Sequence, residues 1–202
     1  MGLPVVIPTR TSLNANAASD VNGLMSNCTD LDSRVVVLET ALSAVIEKLA
    51  LVPADVLQIH EEVTAAQGGT FTSGAWRARN LNTVKTNQID GASLASKQIT
   101  LPAGTYWIEG TAPACQVSVH IVRLYDITNS AELLFGTLEY DSTASAYQQS
   151  ASTCKGLITL TGETVLELQH RCYTTRADYG MGVNADIGQT VNIYATLTVR
   201  KL

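Results

Sequence analysis

Ten apolar residues fill successive heptad core positions: Val21, Leu24, Cys28, Leu31, Val35, Leu38, Leu42, Val45, Leu49 and Val52. Their spacing alternates three and four without a slip. That is the a/d seam of a coiled coil, held over more than four heptads. A single helix with so narrow a stripe cannot bury it alone. The chain is therefore expected to be one subunit of a parallel oligomer, and everything after the seam is expected to be presented in several copies.

The core residues leave the number of subunits open. Val21/Leu24 and Val35/Leu38 put Val at a and Leu at d, which leans toward two strands, whereas Leu42/Val45 and Leu49/Val52 lean toward more. Arg34 (g) and Glu39 (the next e) can pair between parallel chains. The stretch Arg34-Val35-Val36-Val37-Leu38-Glu39 resembles the Arg-h-x-x-h-Glu trimerisation motif of short coiled coils, where h is apolar. A trimer is the expectation.

Before the seam, Pro4 and Pro8 fix φ around the apolar Val5-Val6-Ile7. Residues 1–13 read as an extended tail, with Pro4, Val5, Val6, Ile7 and Pro8 as an anchor that adds to another protein's sheet edge or groove. The helix is expected to begin near Ser12 and to form a stalk over 14–53, stopped by Pro53. From Val21 to Val52 it would span about 48 Å.

Charged residues make up 15% of the chain and the net charge is −5, with no basic run. Nucleic acid is not expected as a partner, because phosphate binding needs clustered Lys and Arg. No apolar run reaches the eighteen residues of a membrane span, so membrane insertion is not expected. The apolar opening lacks the basic flank of a signal peptide. The four cysteines include no C-x-x-C pair, so no metal site is expected. Cys28 suits a heptad core. Cys115, Cys154 and Cys172 read as buried thiols of a reducing compartment, with a Cys154–Cys172 disulfide left open. Asn27-Cys28-Thr29 matches a glycosylation sequon but lies inside the heptads.

After Pro53 the period changes to two. Val56–His60, Trp76–Asp90, Gln98–Leu101, Thr105–Glu109, Gln116–Tyr125, Glu132–Tyr140, Ser152–Leu160, Thr164–Arg171 and Thr190–Arg200 read as strands. Asp90-Gly91, Pro102-Ala103-Gly104 and Thr161-Gly162 supply turns. The whole is a mostly β chain: a parallel coiled coil followed over 54–202 by an antiparallel all-β domain of about eight to ten short strands, a sandwich or a jelly roll.

Four stretches resemble the jelly-roll heads of tailed-bacteriophage virion fibre and decoration proteins, which are C1q/TNF-like. They are Gly68-Gly69-Thr70-Phe71-Thr72-Ser73-Gly74-Ala75-Trp76-Arg77, Leu101-Pro102-Ala103-Gly104-Thr105-Tyr106, Arg123-Leu124-Tyr125-Asp126 and Glu167-Leu168-Gln169-His170-Arg171-Cys172. The resemblance covers 56–202. It implies a homotrimer of jelly rolls around a three-fold axis, carried on a virion assembled in the bacterial cytoplasm. The tail would then dock on other virion proteins and the head would meet a host surface glycan or protein. The rival readings are a capsid or tail ornament without a receptor, a depolymerase or esterase head, and a soluble signalling trimer.

No catalytic set, metal or cofactor is expected. His60, His120 and His170 lack a G-x-S-x-G elbow. His120, between Val119 and Ile121, is expected to face away from the core or toward a trimer contact. Asp178 and Asp186 lack calcium-loop spacing. Glu61-Glu62 and Glu163/Glu167 are expected to be exposed sheet-face charges. The loop from Tyr173 to Gly182 has the Tyr, Arg, Gly and Thr content of a recognition surface. Tyr173, Arg176 and Tyr179 are the candidate receptor contacts, with Tyr147 from the polar stretch 141–149 as the next.

Overall fold

The computed structural model describes residues 10–50, 55–144 and 147–202, with helix side chains described for 17–44. The chain divides into two units at the boundary between residues 52 and 53. The proposed anchor, Pro4 to Pro8, lies outside the described residues, as do Val52 and the side chains of Val45 and Leu49.

The first unit contains one helix, α1 (Arg10–Ala50). It takes in residues 10–13, which the two early prolines had placed in the extended tail. No proline follows Pro8 until Pro53, so each amide from Arg10 onward can join the helix. Val21, Leu24, Leu31, Val35, Leu38 and Leu42 are all exposed along this helix, between 49% and 67%. Cys28, Arg34 and Glu39 are exposed as well. No helix among the described residues is long and apolar enough to cross a membrane.

The second unit consists of two antiparallel sheets. Its strands are β1 (Val56–Val63), β2 (Arg77–Ala78), β3 (Thr83–Asn87), β4 (Ser93–Ala95), β5 (Gln98–Leu101), β6 (Gly104–Cys115), β7 (Ser118–Asp126), β8 (Ala131–Phe135), β9 (Glu139–Asp141), β10 (Gln149–Leu160), β11 (Thr164–Cys172) and β12 (Asn192–Lys201). One sheet runs β10-β6-β12-β1-β3. The other runs β4-β5-β11-β7-β8, with β2 on β11 and β9 on β7. The pairs β1·β12, β5·β11 and β6·β10 nest inside one another, and β5, β6 and β7 alternate between sheets, as do β10, β11 and β12. This winding is that of a jelly roll.

Period-two alternation fills the space between the sheets. Leu57, Ile59, Ile108, Leu124, Leu168 and Leu197 are each at most 1% exposed. A second, smaller cluster of Phe71, Ala114, Val117 and Cys172, with Met181 against it, closes one region of the sandwich.

Two predicted strands are interrupted. Glu132–Tyr140 becomes β8 and β9, because Gly136 leaves the sheet and bridges to Cys154. A Cβ there would come within 2.6 Å of Val122 and 3.0 Å of the Thr153 backbone. Only glycine permits that approach. Trp76–Asp90 likewise becomes β2 and β3, which join different sheets. Thr105–Glu109, by contrast, extends to Cys115 because β10 pairs along the whole of β6. All four cysteines are free thiols; Cys115, Cys154 and Cys172 are buried.

Candidate functional site

The loop following β11 is fixed by backbone bonds on both sides. Phe71 N and O bond Arg176 O and N at 2.8 and 3.0 Å, Gly69 N bonds Asp178 O at 2.8 Å, and Cys115 N bonds Gly180 O at 3.0 Å. Gly180 fits because a Cβ would meet Arg176 O at 2.6 Å and Phe71 Cβ at 2.8 Å. Below the loop lies Arg79, fully buried. Its Nη2 donates to Met181 O at 2.9 Å and its Nη1 to Pro113 O at 3.3 Å. Its Nε and Nη2 both reach Glu61 Oε2, at 2.8 and 2.7 Å. Glu61 is 1% exposed, which corrects its reading as a surface charge. Glu62 is half-buried rather than exposed; it pairs with Lys85 at 3.0 Å, and that hydrogen bond lowers its pKa.

On this rigid base, Tyr147, Arg176 and Tyr179 line one open cleft of about 380 Å³ with Gln116, Thr143 and Ala144. The Tyr147 and Tyr179 rings lie 5.6 Å apart at 57°. The Arg176 guanidinium is 5.5 Å from the Tyr179 ring centroid. Tyr179 Oη donates to Gln116 Oε1 at 2.8 Å. Arg176 Nε and Nη2 make long contacts, each 3.4 Å, to Gln116 O and Thr143 O. Tyr147 is 63% exposed and holds a left-handed φ of 55°. A bulky residue is rarely found there without a local requirement.

Tyr173 is not part of this cleft. It lines a separate depression of about 170 Å³ with Val119, Ile121 and Arg171. Its neighbour Cys172 ends β11, so Tyr173 leaves on the outer face while Arg176 and Tyr179 fold back over the sandwich end. The sequence pattern of the loop carried no signal for that split.

A second polar cluster lies between the sheets and was missed. His120 is 1% exposed and His170 and Asp141 are fully buried, so His120 faces inward rather than outward. The reason is composition: Val119 and Ile121 take the outer positions of β7, and the inner position receives partners from β9, β10 and β11. His120 Nδ1 meets His170 Nε2 at 2.9 Å. His120 Nε2 meets Ser150 Oγ at 2.9 Å and Asp141 Oδ2 at 3.1 Å. The Asp141 contact is close in distance, but neither Asp141 oxygen nor His170 Nδ1 makes a well-aligned hydrogen bond. Ser150 and Asp141 both face the same imidazole nitrogen. A hydrolytic relay needs them on opposite nitrogens, so this is not that geometry. Burial, reinforced by Arg79 and His120, holds the His170 pKa well below the usual imidazole value. Burial also pushes the Cys154 and Cys172 thiols up to about 11, which makes them poor nucleophiles at neutral pH. No group of three or more potential metal ligands occurs among the described residues.

No protein-family model and no curated protein matches the chain. Solved structures similar to it include murine APRIL at pH 5.0, with 9% identity over 73% of this chain and 98% of that one and a TM-score of 0.47. The globular domain of zebrafish complement 1qA protein has 12% identity over 74% and 97%, with a TM-score of 0.46. The PRD1 vertex protein P5 has 15% identity over 74% and 97%, with a TM-score of 0.47. At this distance the likenesses add nothing to the strand order above, and no role follows from them.

Proposed function

We propose that this chain is a homotrimeric phage virion protein whose jelly-roll head attaches to a host surface through the cleft of Tyr147, Arg176 and Tyr179. The observation that carries the trimeric part is the unbroken seam on α1, whose six described leucines and valines stand in water in a single chain. Burying such a stripe between parallel helices is the ordinary way to stabilise it. The resemblance of residues 56–202 to phage fibre heads supports the virion setting. Under this reading the segment Pro4 to Pro8 is the anchor, and 1–13, 14–53 and 54–202 act as tail, stalk and head.

The cleft suits recognition because its two tyrosines present rigid rings at low entropic cost and Arg176 offers donors beside them. Three copies on one stalk multiply a weak contact by avidity. The decisive experiment compares virions carrying the wild type with virions carrying Tyr147→Ala, Arg176→Ala and Tyr179→Ala together. Host adsorption is expected to fall by an order of magnitude or more, as weakening three linked sites predicts, with protein incorporation unchanged. Normal adsorption by such virions would make the protein a structural ornament.

A further inference from the structure

The chain has two Trp, seven Tyr and two Phe, and five of these eleven lie on the outer face of one sheet. Along β7 the inward residues are His120, Val122 and Leu124, all buried. Val119, Ile121, Arg123 and Tyr125 therefore share the opposite face. Cross-strand partners share a face, so Phe135, opposite Arg123, and Tyr140, opposite Val119, join them. Phe135 is 53%, Tyr140 63% and Tyr173 79% exposed. Trp76 lies over this face too. The Arg123 guanidinium is sandwiched between the Trp76 ring, 4.0 Å from its centroid, and the Tyr125 ring, 4.3 Å away. The Trp76 and Phe135 centroids are 6.2 Å apart.

Between the rings runs a fixed polar row. Gln98 Nε2 donates to Glu167 Oε1 at 3.0 Å, and Gln169 Nε2 donates to Glu167 Oε2 at 2.7 Å. Arg123 Nε and Nη2 both donate to Gln169 Oε1, at 2.9 and 2.7 Å, and its Nη1 pairs with Glu132. The row crosses four strands. Arg123 is paired with Glu132, Glu167 is held by two amides, and Arg171 stands exposed opposite Ile121 on the same face, so these two cations and two carboxylates leave it without net charge. It offers flat rings and oriented carboxylate and amide groups.

We infer that this face, from Trp76 and Phe135 to Tyr140 and Tyr173, is a binding platform for a glycan chain of neutral pyranose units. A pyranose has one apolar C–H face, which stacks on an aromatic ring, and rim hydroxyls, which both donate and accept hydrogen bonds. The Glu167 and Glu132 oxygens can accept from such hydroxyls, and the Gln98 amide can donate. From Val119 to Tyr125 the strand covers about 20 Å, room for several consecutive rings. The Trp76 and Tyr125 rings, stacked on Arg123, and the polar row are held before any ligand arrives, which lowers the ordering cost of binding. This platform is separate from the Arg176 cleft and does not depend on where the protein is carried.

The test uses the full chain in a Trp107→Phe background, which leaves Trp76 as the sole tryptophan reporter. Maltohexaose, cellohexaose, laminarihexaose and chitohexaose are titrated against its emission and by calorimetry. At least one is expected to bind saturably and shift the Trp76 emission. Phe135→Ala and Tyr140→Ala are each expected to weaken that binding about three- to tenfold, the worth of one aromatic contact. Melting temperature should hold, since both rings are exposed, and Arg176→Ala should leave the binding unchanged. Binding by none of the four, or binding unaffected by both ring variants, would overturn the platform. So would a loss of sedimentation mass in those variants, which would make the face a contact between copies of the chain, or selective binding of an acidic oligosaccharide such as a hexa-alginate.

Discussion

His170 is enclosed by Phe71 at 4.7 Å between ring centroids, by His120 at 5.0 Å, and by the field of Arg79. Neutral imidazole fits there and imidazolium does not, because burial and two cationic or polar neighbours oppose the charge. The native state therefore takes up its proton at lower pH than the unfolded chain, whose histidine titrates near 6.5. The sign follows: the unfolded state binds more protons below pH ~6.5, so stability is complete above that value and is lost as pH falls through it. Denaturant midpoints are expected to hold from pH 7.5 to about 6.5 and to drop from there to pH 5, and His170→Asn is expected to flatten that drop. A second residue-scale prediction concerns Glu61. Glu61→Ala leaves Arg79 buried and unpaired, and is expected to cost about 3–5 kcal/mol in chemical unfolding. A surface glutamate such as Glu163 should change stability by less than ~0.5 kcal/mol when replaced.

At the scale of elements, the crossing at Gly136 decides whether β8 and β9 can share β7 while β10 runs behind them. Gly136→Val places a branched side chain against Val122, Ser152 and the Thr153 backbone. It is expected to destabilise the head by about 1–3 kcal/mol or more, read as a lowered melting temperature with little change in far-UV signature. Such crossings also explain what the sequence made legible. Alternation alone left sandwich and jelly roll open, but strands such as β5, β7, β11 and β12 alternate, each has one buried face, and their positions could be read directly. The broken ribbon at Gly136 could not, because a glycine inside an alternating run marks a bulge or a close approach without saying which. The loop after β11 stood out by composition as a candidate, yet Tyr173 parted from Arg176 and Tyr179 because the loop's path depends on bonds to Phe71 and Gly69, about a hundred residues earlier. His120 and Glu61 were misplaced for the same reason. Polar residues in a strand read as outward-facing, and only tertiary partners, His170 and Ser150 for His120 and Arg79 for Glu61, make an inward position tolerable.

For the whole molecule, the question is what gathers the chains. Among the described side chains, the seam on α1 puts Leu38 at a d position inside the Arg34–Glu39 segment, where the g and e charges of neighbouring helices would close over it. If three parallel helices meet there, Leu38→Asp drives three carboxylates toward one axis with no cation to answer them. Each would lose hydration at a cost of several kcal/mol, far more than a surface ion pair between Arg34 and Glu39 returns. The full-length wild type is expected to sediment at three times the chain mass of 21.5 kDa. Leu38→Asp should shift the protein toward monomer at micromolar concentration and reduce its helical signal, because an isolated helix of this composition is marginal without tertiary burial. The β signature of the head should persist, since its core is closed by its own two sheets. A wild-type mass of one or two chains would refute the trimer. A Leu38→Asp protein that keeps the trimeric mass would move the assembling contact from the seam to the heads, where Trp107 and Leu157, paired across β6 and β10, are the first exposed apolar neighbours to replace.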